Sequence, residues 1–207
     1  GEEAFKDLKN SFPDDANGSR ILVTTRSCGL ALEISPHGEH HSLRELSEDE
    51  SFRLLNMKVF NEEGCPRDLV AVGKEIARQC RGLPLAIVAV AGILKMTEKS
   101  RNSWKKIANS LSSQVLNDPE AQCRSVLELS YQYLPEYLKP CFLYMGVLGK
   151  NKDILVSKLI QLWLAEGLIP KTQTKSLEDL AEDFLMELIG ASLVIISKRR
   201  SNGKVKA

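Results

Sequence analysis

Thr24, Thr25 and Arg26 close a continuous apolar, β-branched run that begins at Arg20. Runs of this kind are typical of parallel strands buried on both faces. In open α/β sheets the ligand lies beyond the carboxyl ends of the strands. A pair of hydroxyls followed by a guanidinium at that place makes Arg26 either a phosphate sensor or a solvated strand end. The second stretch with chemical content is Gly82-Leu83-Pro84-Leu85, which opens an apolar run over residues 86–94. Other nucleophiles and ligands are scattered. His37, His40 and His41 share one polar segment, residues 35–46, which reads as a solvated loop and short strand rather than a metal site. Five cysteines (Cys28, Cys65, Cys80, Cys123, Cys141) form no CxxC pair and are an odd number, which fits reduced thiols better than a disulfide framework. There is no GxxxxGK[ST] loop, no paired aspartates after an apolar strand, no HExxH and no GxSxG. The chain therefore shows no catalytic machinery of its own, and no catalytic or metal-ligating residue is assigned.

The elements that must position these residues are mostly helices. Leu69, Val72, Ile76 and Cys80 recur at helical spacing, so residues 68–81 form an amphipathic helix. Gly82 falls where that helix stops, in the left-handed C′ conformation that glycine takes without a Cβ clash. Pro84 suits the first turn of the next helix, where no amide donor is needed. That helix has no polar face and should be buried on nearly all sides. It is too short to span a bilayer, which takes about 20 apolar residues.

Ser47 to Glu50 is a capping box that starts a helix carrying Phe52, Leu55 and Val59. Trp104, Ile107, Ala108 and Leu111 mark a further helix. Residues 47–112 thus form an all-helical unit of about four helices. Asp118-Pro119 is an N-cap followed by proline at N1, and a domain boundary is expected there. Helices follow through Val126, Leu129 and Tyr133, from Pro140 to Leu148, over residues 156–166 closed by Gly167, and from a second capping box at Ser176. A strand over 193–197, a turn at Asn202-Gly203 and a return through Lys204, Val205 and Lys206 complete the chain. Three helices and a β-hairpin in this order make a winged helix. Residues 2–10 read as a short helix with Phe5 and Leu8 on one face.

The bulk properties agree with a globular protein. Its 207 residues are one large domain or two small ones, 27 % charged and 43 % apolar. A net charge of +1 argues against a dominant nucleic-acid or membrane-surface role. Both ends stop abruptly, inside a helix-like and a strand-like stretch, so the chain reads as a piece of a longer protein.

Taken together, several stretches resemble plant NLR immune receptors. Residues 18–26, GSRILVTTR, are similar to a segment of their nucleotide-binding domain, and residues 80–86 to their GLPLA motif. Ser130-Tyr131, Leu134-Pro135, Leu138-Lys139 and Cys141-Phe142-Leu143-Tyr144 resemble SYxxLPxxLKxCFLY, and residues 159–167 its LIxLWxAEG continuation. These cover nearly the whole chain in the family's order. The mix resembles coiled-coil NLRs, including the helper receptors of the nightshade family.

The resemblance implies an NB-ARC module, mixed but mainly α. Residues 1–46 would be the tail of a parallel α/β nucleotide-binding domain, 47–115 the ARC1 helical bundle and 116–207 the ARC2 winged helix. The implied nucleotide-binding residues are Arg26, toward the γ-phosphate, and Pro84, against the adenine ring, with their neighbours Thr25 and Leu83. ADP or ATP, with Mg for ATP, would be the ligand of the parent protein, itself a slow P-loop NTPase switch. The P-loop and the MHD motif of relatives are absent from this sequence, and Ala191 stands where relatives tend to carry Arg.

The implied function is an ADP/ATP-dependent switch, held off by ADP and signalling defence and cell death when opened. Its partners would be the coiled coil and LRR of the same receptor, other NLRs and a pathogen effector. The implied location is the cytoplasm of plant cells, with membrane association on activation left open. An alternative is an ARC1–ARC2 interaction fragment bound by a partner or effector at the hinge near residues 111–119. DNA reading is the weakest alternative. Lys198, Arg199, Arg200, Lys204 and Lys206 make a basic wing, but the helix over 158–166 is largely apolar and ends in Glu166, unlike a major-groove reader.

Overall fold

The computed structural model describes residues 18, 20–25, 27–34, 40–61, 63–112, 118–149, 153–199, 201, 203 and 205–207. The chain divides into two units, Gly1–Arg44 and Glu45–Ala207. In the first, the described residues form one short helix, α1 (Cys28–Ile34). The Arg20–Thr25 stretch forms no strand, and Ile21, Leu22 and Val23 are exposed. A single strand cannot satisfy its backbone alone, and among the described residues it has no ladder partner. The expected helix over 2–10 lies outside the described residues.

The second unit holds eight helices among its described residues: α2 (Glu48–Phe60), α3 (Arg67–Gln79), α4 (Pro84–Met96), α5 (Arg101–Ser112), α6 (Pro119–Gln132), α7 (Lys139–Met145), α8 (Val156–Ala165) and α9 (Leu177–Gly190). Three of them start on side-chain caps that the sequence marks. Ser47 accepts from the Glu50 amide while the Glu50 carboxylate accepts from the Ser47 amide at 2.8 Å, a reciprocal box at α2. Asp118 caps α6 by accepting from the Ala121 amide at 2.8 Å. At α9 the Ser176 hydroxyl accepts from the Asp179 amide and donates to the Asp179 carboxylate, so this cap works in one direction only.

Two buried clusters share no residue. The first surrounds α4, whose Ala86, Ile87, Ala89, Val90, Ala91, Gly92, Ile93 and Leu94 are all buried. Leu55, Val59 and Phe60 of α2, Leu69, Val72 and Ile76 of α3, and Trp104, Ile107 and Leu111 of α5 close around it. Helix α6, which the sequence places in the third part, adds Val126 and Leu129 to this first cluster. Gly73 lets α3 approach the rings of Phe52 and Trp104.

The second cluster, from Leu134 to Ala191, is the core of α7, α8 and α9, with Trp163 and Leu188 fully buried at its centre. Helix α8 ends in a Schellman motif: Gly167, at φ 66°, donates to the Leu164 carbonyl, and the Leu168 amide to Trp163. Helix α9 ends the same way around Ser192, at φ 59°, with the Leu193 amide donating to Leu188. That closure turns residues 193–194 through a bend, and no strand forms over 193–197.

Pairing begins later. Arg199 and Val205 form an antiparallel bridge, and Lys206 and Ala207 exchange backbone bonds with Ser197 and Lys198. The Lys206 carbonyl also accepts from Val156, which ties the hairpin to the head of α8.

Candidate functional site

The GLPL stretch forms a tight turn between α3 and α4. Helix α3 ends at Gln79, with Cys80 as its C-cap. The left-handed C′ position falls to Arg81 (φ 53°), one residue earlier than the sequence suggests, and Gly82 (φ 71°) continues it. The Arg81 amide donates to Arg78 and the Leu83 amide to the Cys80 carbonyl. The Gly82 carbonyl in turn accepts from the Leu46 amide at 3.0 Å. A Cβ at 82 would stand 2.4 Å from the Leu46 carbonyl oxygen, so both dihedral and space demand glycine there.

Leu83 is extended (φ −83°, ψ 110°) and half-buried against the first core, and its carbonyl accepts from Ile87. Pro84 occupies the first helical turn and is exposed, as is Leu85 beside it. The result is an apolar, solvent-facing step at the N-terminus of an otherwise buried helix. Such a step suits a flat apolar group better than a charged one.

Helix α6 braces this turn from outside, which the sequence reading missed. Gln122, buried, donates from Nε2 to the Gln79 carbonyl at 3.3 Å. Burial pushes the Cys123 thiol up, and a hydrogen bond from the Ala86 backbone pulls against it. Burial drives Cys80 up to about 12, with the nearby Cys123 adding to it, so Cys80 is a packing thiol and not a nucleophile. The visible signal was Gln122 four residues before Val126, on the same face as Leu129. The described cysteines are all free.

The residues singled out from the sequence fall in different units. Leu83 and Pro84 stand side by side on the turn. Thr25 belongs to the first unit, where it is exposed and its Oγ1 accepts from the Ser27 amide at 3.1 Å, at the approach to α1. Arg26, Arg200, Lys204 and His37 lie outside the described residues, and so do residues 113–117 of the expected hinge. His40 shares a hydrogen bond with the Ala31 carbonyl. Among the described residues no group of three His, Cys, Asp or Glu side chains could hold a metal, and no helix is long and apolar enough to cross a membrane.

The winged helix offers a different surface. An open cleft of about 330 Å³ runs between α8, α9 and the hairpin, floored by Ile160, Leu185 and Met186, with Glu182 and Arg199 on its sides. Arg199 donates to the Gly203 carbonyl, and Lys198 pairs with Asp153 at 2.6 Å, so both cations serve the hairpin itself. The exposed face of α8 presents Ser157, Lys158 and Gln161, a single cation. A phosphate-tracking face needs several.

Comparison with known proteins agrees with both halves of this description. Residues 1–65 match the family model of the NB-ARC domain, and residues 147–207 that of the disease resistance protein winged helix domain. The chain is 46 % identical over 205 residues to the putative late blight resistance protein homolog R1B-12 of Solanum demissum, covering 99 % of this chain and 15 % of that protein. It is 44 % identical over 205 residues to homolog R1B-16 of the same species, covering 99 % of this chain and 16 % of that protein. Homolog R1B-23 is 45 % identical over 204 residues, 98 % of this chain and 16 % of its own length. The chain thus spans about 15 % of the relatives it matches. With relatives aligned along almost its entire length and family models at both ends, the chain belongs to the NB-ARC disease resistance proteins of plants.

Proposed function

We propose that this chain is the lid half of an ADP/ATP switch in a plant immune receptor, held off by ADP and signalling defence and cell death when opened. The observation that carries the reading is the step at Leu83-Pro84: apolar, with Pro84 exposed and Leu83 half-buried, and fixed by Gly82, Leu46 and α6. A purine base presents a flat aromatic face, and an apolar step suits packing against that face by contact alone. The nucleotide supplies a charge that differs by one phosphate between the two states. Arg26 reads that difference by charge pairing, and Thr25 adds a hydroxyl beside it. Leu83 and Pro84 hold the part common to both. Most phosphate contacts would come from a P-loop elsewhere in the receptor.

Preference for one nucleotide then requires contacts that differ between the closed and open arrangements. Rotation of the winged helix away from the bundle is the change this chain could make. Replacing Arg26 with Ala in the intact receptor should change the ratio of ADP to ATP affinity by about tenfold, the loss of about 1.4 kcal/mol of selective contact. An unchanged ratio would remove Arg26 from the sensor role.

A further inference from the structure

The two buried clusters meet at an unusually close backbone approach. Gly92 lies two-thirds of the way along α4, buried, in a helix where alanine would be the better helix former. A Cβ built there would stand 1.9 Å from the carbonyl oxygen of Ala191, 2.5 Å from its carbonyl carbon and 3.2 Å from its Cα. No side-chain rotation relieves a clash with backbone. Nor can Ala191 give way locally, because it is locked inside the Schellman motif that ends α9. Its own amide donates to Glu187 at 2.8 Å, the Ser192 amide to Ile189 at 2.9 Å and the Leu193 amide to Leu188 at 3.2 Å.

Ala191 is a member of the second core and is itself 1 % exposed. Gly92 sits among the buried residues of the first. Ordinary contact begins near 3.4 Å. A methyl at 92 therefore requires the end of α9 and the middle of α4 to part as bodies.

We propose that Gly92 is the seat on which the winged helix docks to the helical bundle. Docking persists only while position 92 has no side chain, and this contact is the one released when the module opens. The release role rests on the switch reading; the docking role does not. A methyl added at Gly190, one residue before Ala191, would meet nothing within 4 Å, and at Gly73 the nearest atom is the edge of the Phe52 ring at 3.0 Å. Both are therefore internal controls: same residue change, same two cores, no backbone in the way.

The chain contains two tryptophans, Trp104 fully buried in the first core and Trp163 in the second. Trp163→Phe and Trp104→Phe versions of the full chain report the melting of each core separately by fluorescence. In the docked protein the two transitions coincide. Gly92→Ala should split them by about 5–10 °C, the winged helix melting first, which corresponds to loss of a coupling on the scale set by domain size. Gly190→Ala should leave them together. Gly73→Ala should move the first core without a split. Coincident transitions in Gly92→Ala, even at a lower temperature, would mean a plain packing defect and overturn the proposal.

Should Gly92→Ala fail to fold, native-state hydrogen exchange of the unmodified chain decides. The amides around Trp163 and Leu188 should open as a unit separate from those around Ile76 and Ile93. A single unit overturns the proposal. In the intact receptor, Gly92→Ala is expected to lose its bound ADP. A split with ADP fully retained would keep the docking seat but overturn its release role.

Discussion

The bundle and the winged helix bury their tryptophans equally well but are built on different plans. The bundle is organised around one element. Helix α4 has no polar face, and eight of its thirteen residues are buried by helices on several sides. The winged helix is organised around a seam. Helix α9 buries Ala181, Phe184, Leu185 and Leu188 along one stripe and leaves Met186 about half exposed. Its closure relies on polar ties at the surface: Tyr137 to Glu187 at 2.6 Å, Lys198 to Asp153 at 2.6 Å, and the hairpin's bond to Val156. The contrast teaches which part can move without melting. A helix wrapped on all sides has one position, whereas the stripe and ties of the winged helix join its own parts to one another, so that unit can leave as a body without breaking them.

Charge placed on the two central helices breaks this comparison most sharply. Aspartate at Ile87, Val90, Ile93 or Leu94 has no solvent-facing rotamer and should abolish folding, since an unpaired buried charge costs several kcal/mol against a total of about 5–15 kcal/mol. Aspartate at Met186 should change stability by less than about 0.5 kcal/mol. Chemical denaturation of the five variants checks this. A tolerated aspartate at Val90 would mean that α4 is less enclosed than described.

Next in size are the caps. Ser47 satisfies two backbone groups reciprocally with Glu50, whereas Ser176 satisfies one. Ser47→Ala and Ser176→Ala each remove one capping hydroxyl and should each cost about 1 kcal/mol, whereas Ser47→Ala with Glu50→Ala removes both bonds of the box and should cost more, all by denaturant midpoint. A double variant no less stable than Ser47→Ala would show that the reciprocal bond adds nothing.

The smallest effects belong to the surface ties of the winged helix and appear as pH dependence. Hydrogen bonds from Lys198 and Ser197, with the Lys198 charge, hold the Asp153 carboxyl below its ordinary value of 3.8. A folded value below the unfolded one means stability that is present above pH 3.8 and lost as pH falls through the folded value. In the Gly92→Ala background, where the two cores are expected to melt apart, Asp153→Asn should flatten the acid limb of the Trp163 signal and leave that of Trp104 unchanged. At the alkaline end, the hydrogen bond to Glu187, then burial and the Glu187 charge, push Tyr137 up to about 12. That contribution is complete below the ordinary tyrosine value of 10 and fades as pH rises toward 12. Ultraviolet titration should show Tyr137 ionising late, and Glu187→Gln should bring it back toward 10.

Local signals in the sequence carried most of the helical architecture. Ser47, Asp118, Pro84 and Gly167 each mark a helix end through a single residue's preference, so their positions were legible within a residue or two. The turn before α4 was legible as well, though its left-handed C′ residue is Arg81 and not Gly82. Illegible features were those that depend on partners distant in the chain. Ile21, Leu22 and Val23 have strand composition, but a strand exists only with a neighbour to bond. Helix α6 has the cap of a new domain, yet Gln122, Val126 and Leu129 face the bundle, and no local pattern says which core an apolar stripe will meet. Leu193 looks like a strand residue until the Schellman bond to Leu188 bends it. Gly92 reads as a mild flaw in a good helix. Its reason is a carbonyl ninety-nine residues later.

The site divides in the same way. Leu83 and Pro84 were legible because their chemistry is the turn's own. The bracing by Gln122 and Cys123 was not, because it arrives from another helix.

The most direct test of the switch is to purify the intact receptor carrying this sequence, denature it and identify the released nucleotide by chromatography. The account predicts near-stoichiometric ADP, reduced when Pro84 is replaced by Ser. Purified, folded receptor that releases no adenine nucleotide would contradict it and leave the Leu83-Pro84 step as a surface for another partner.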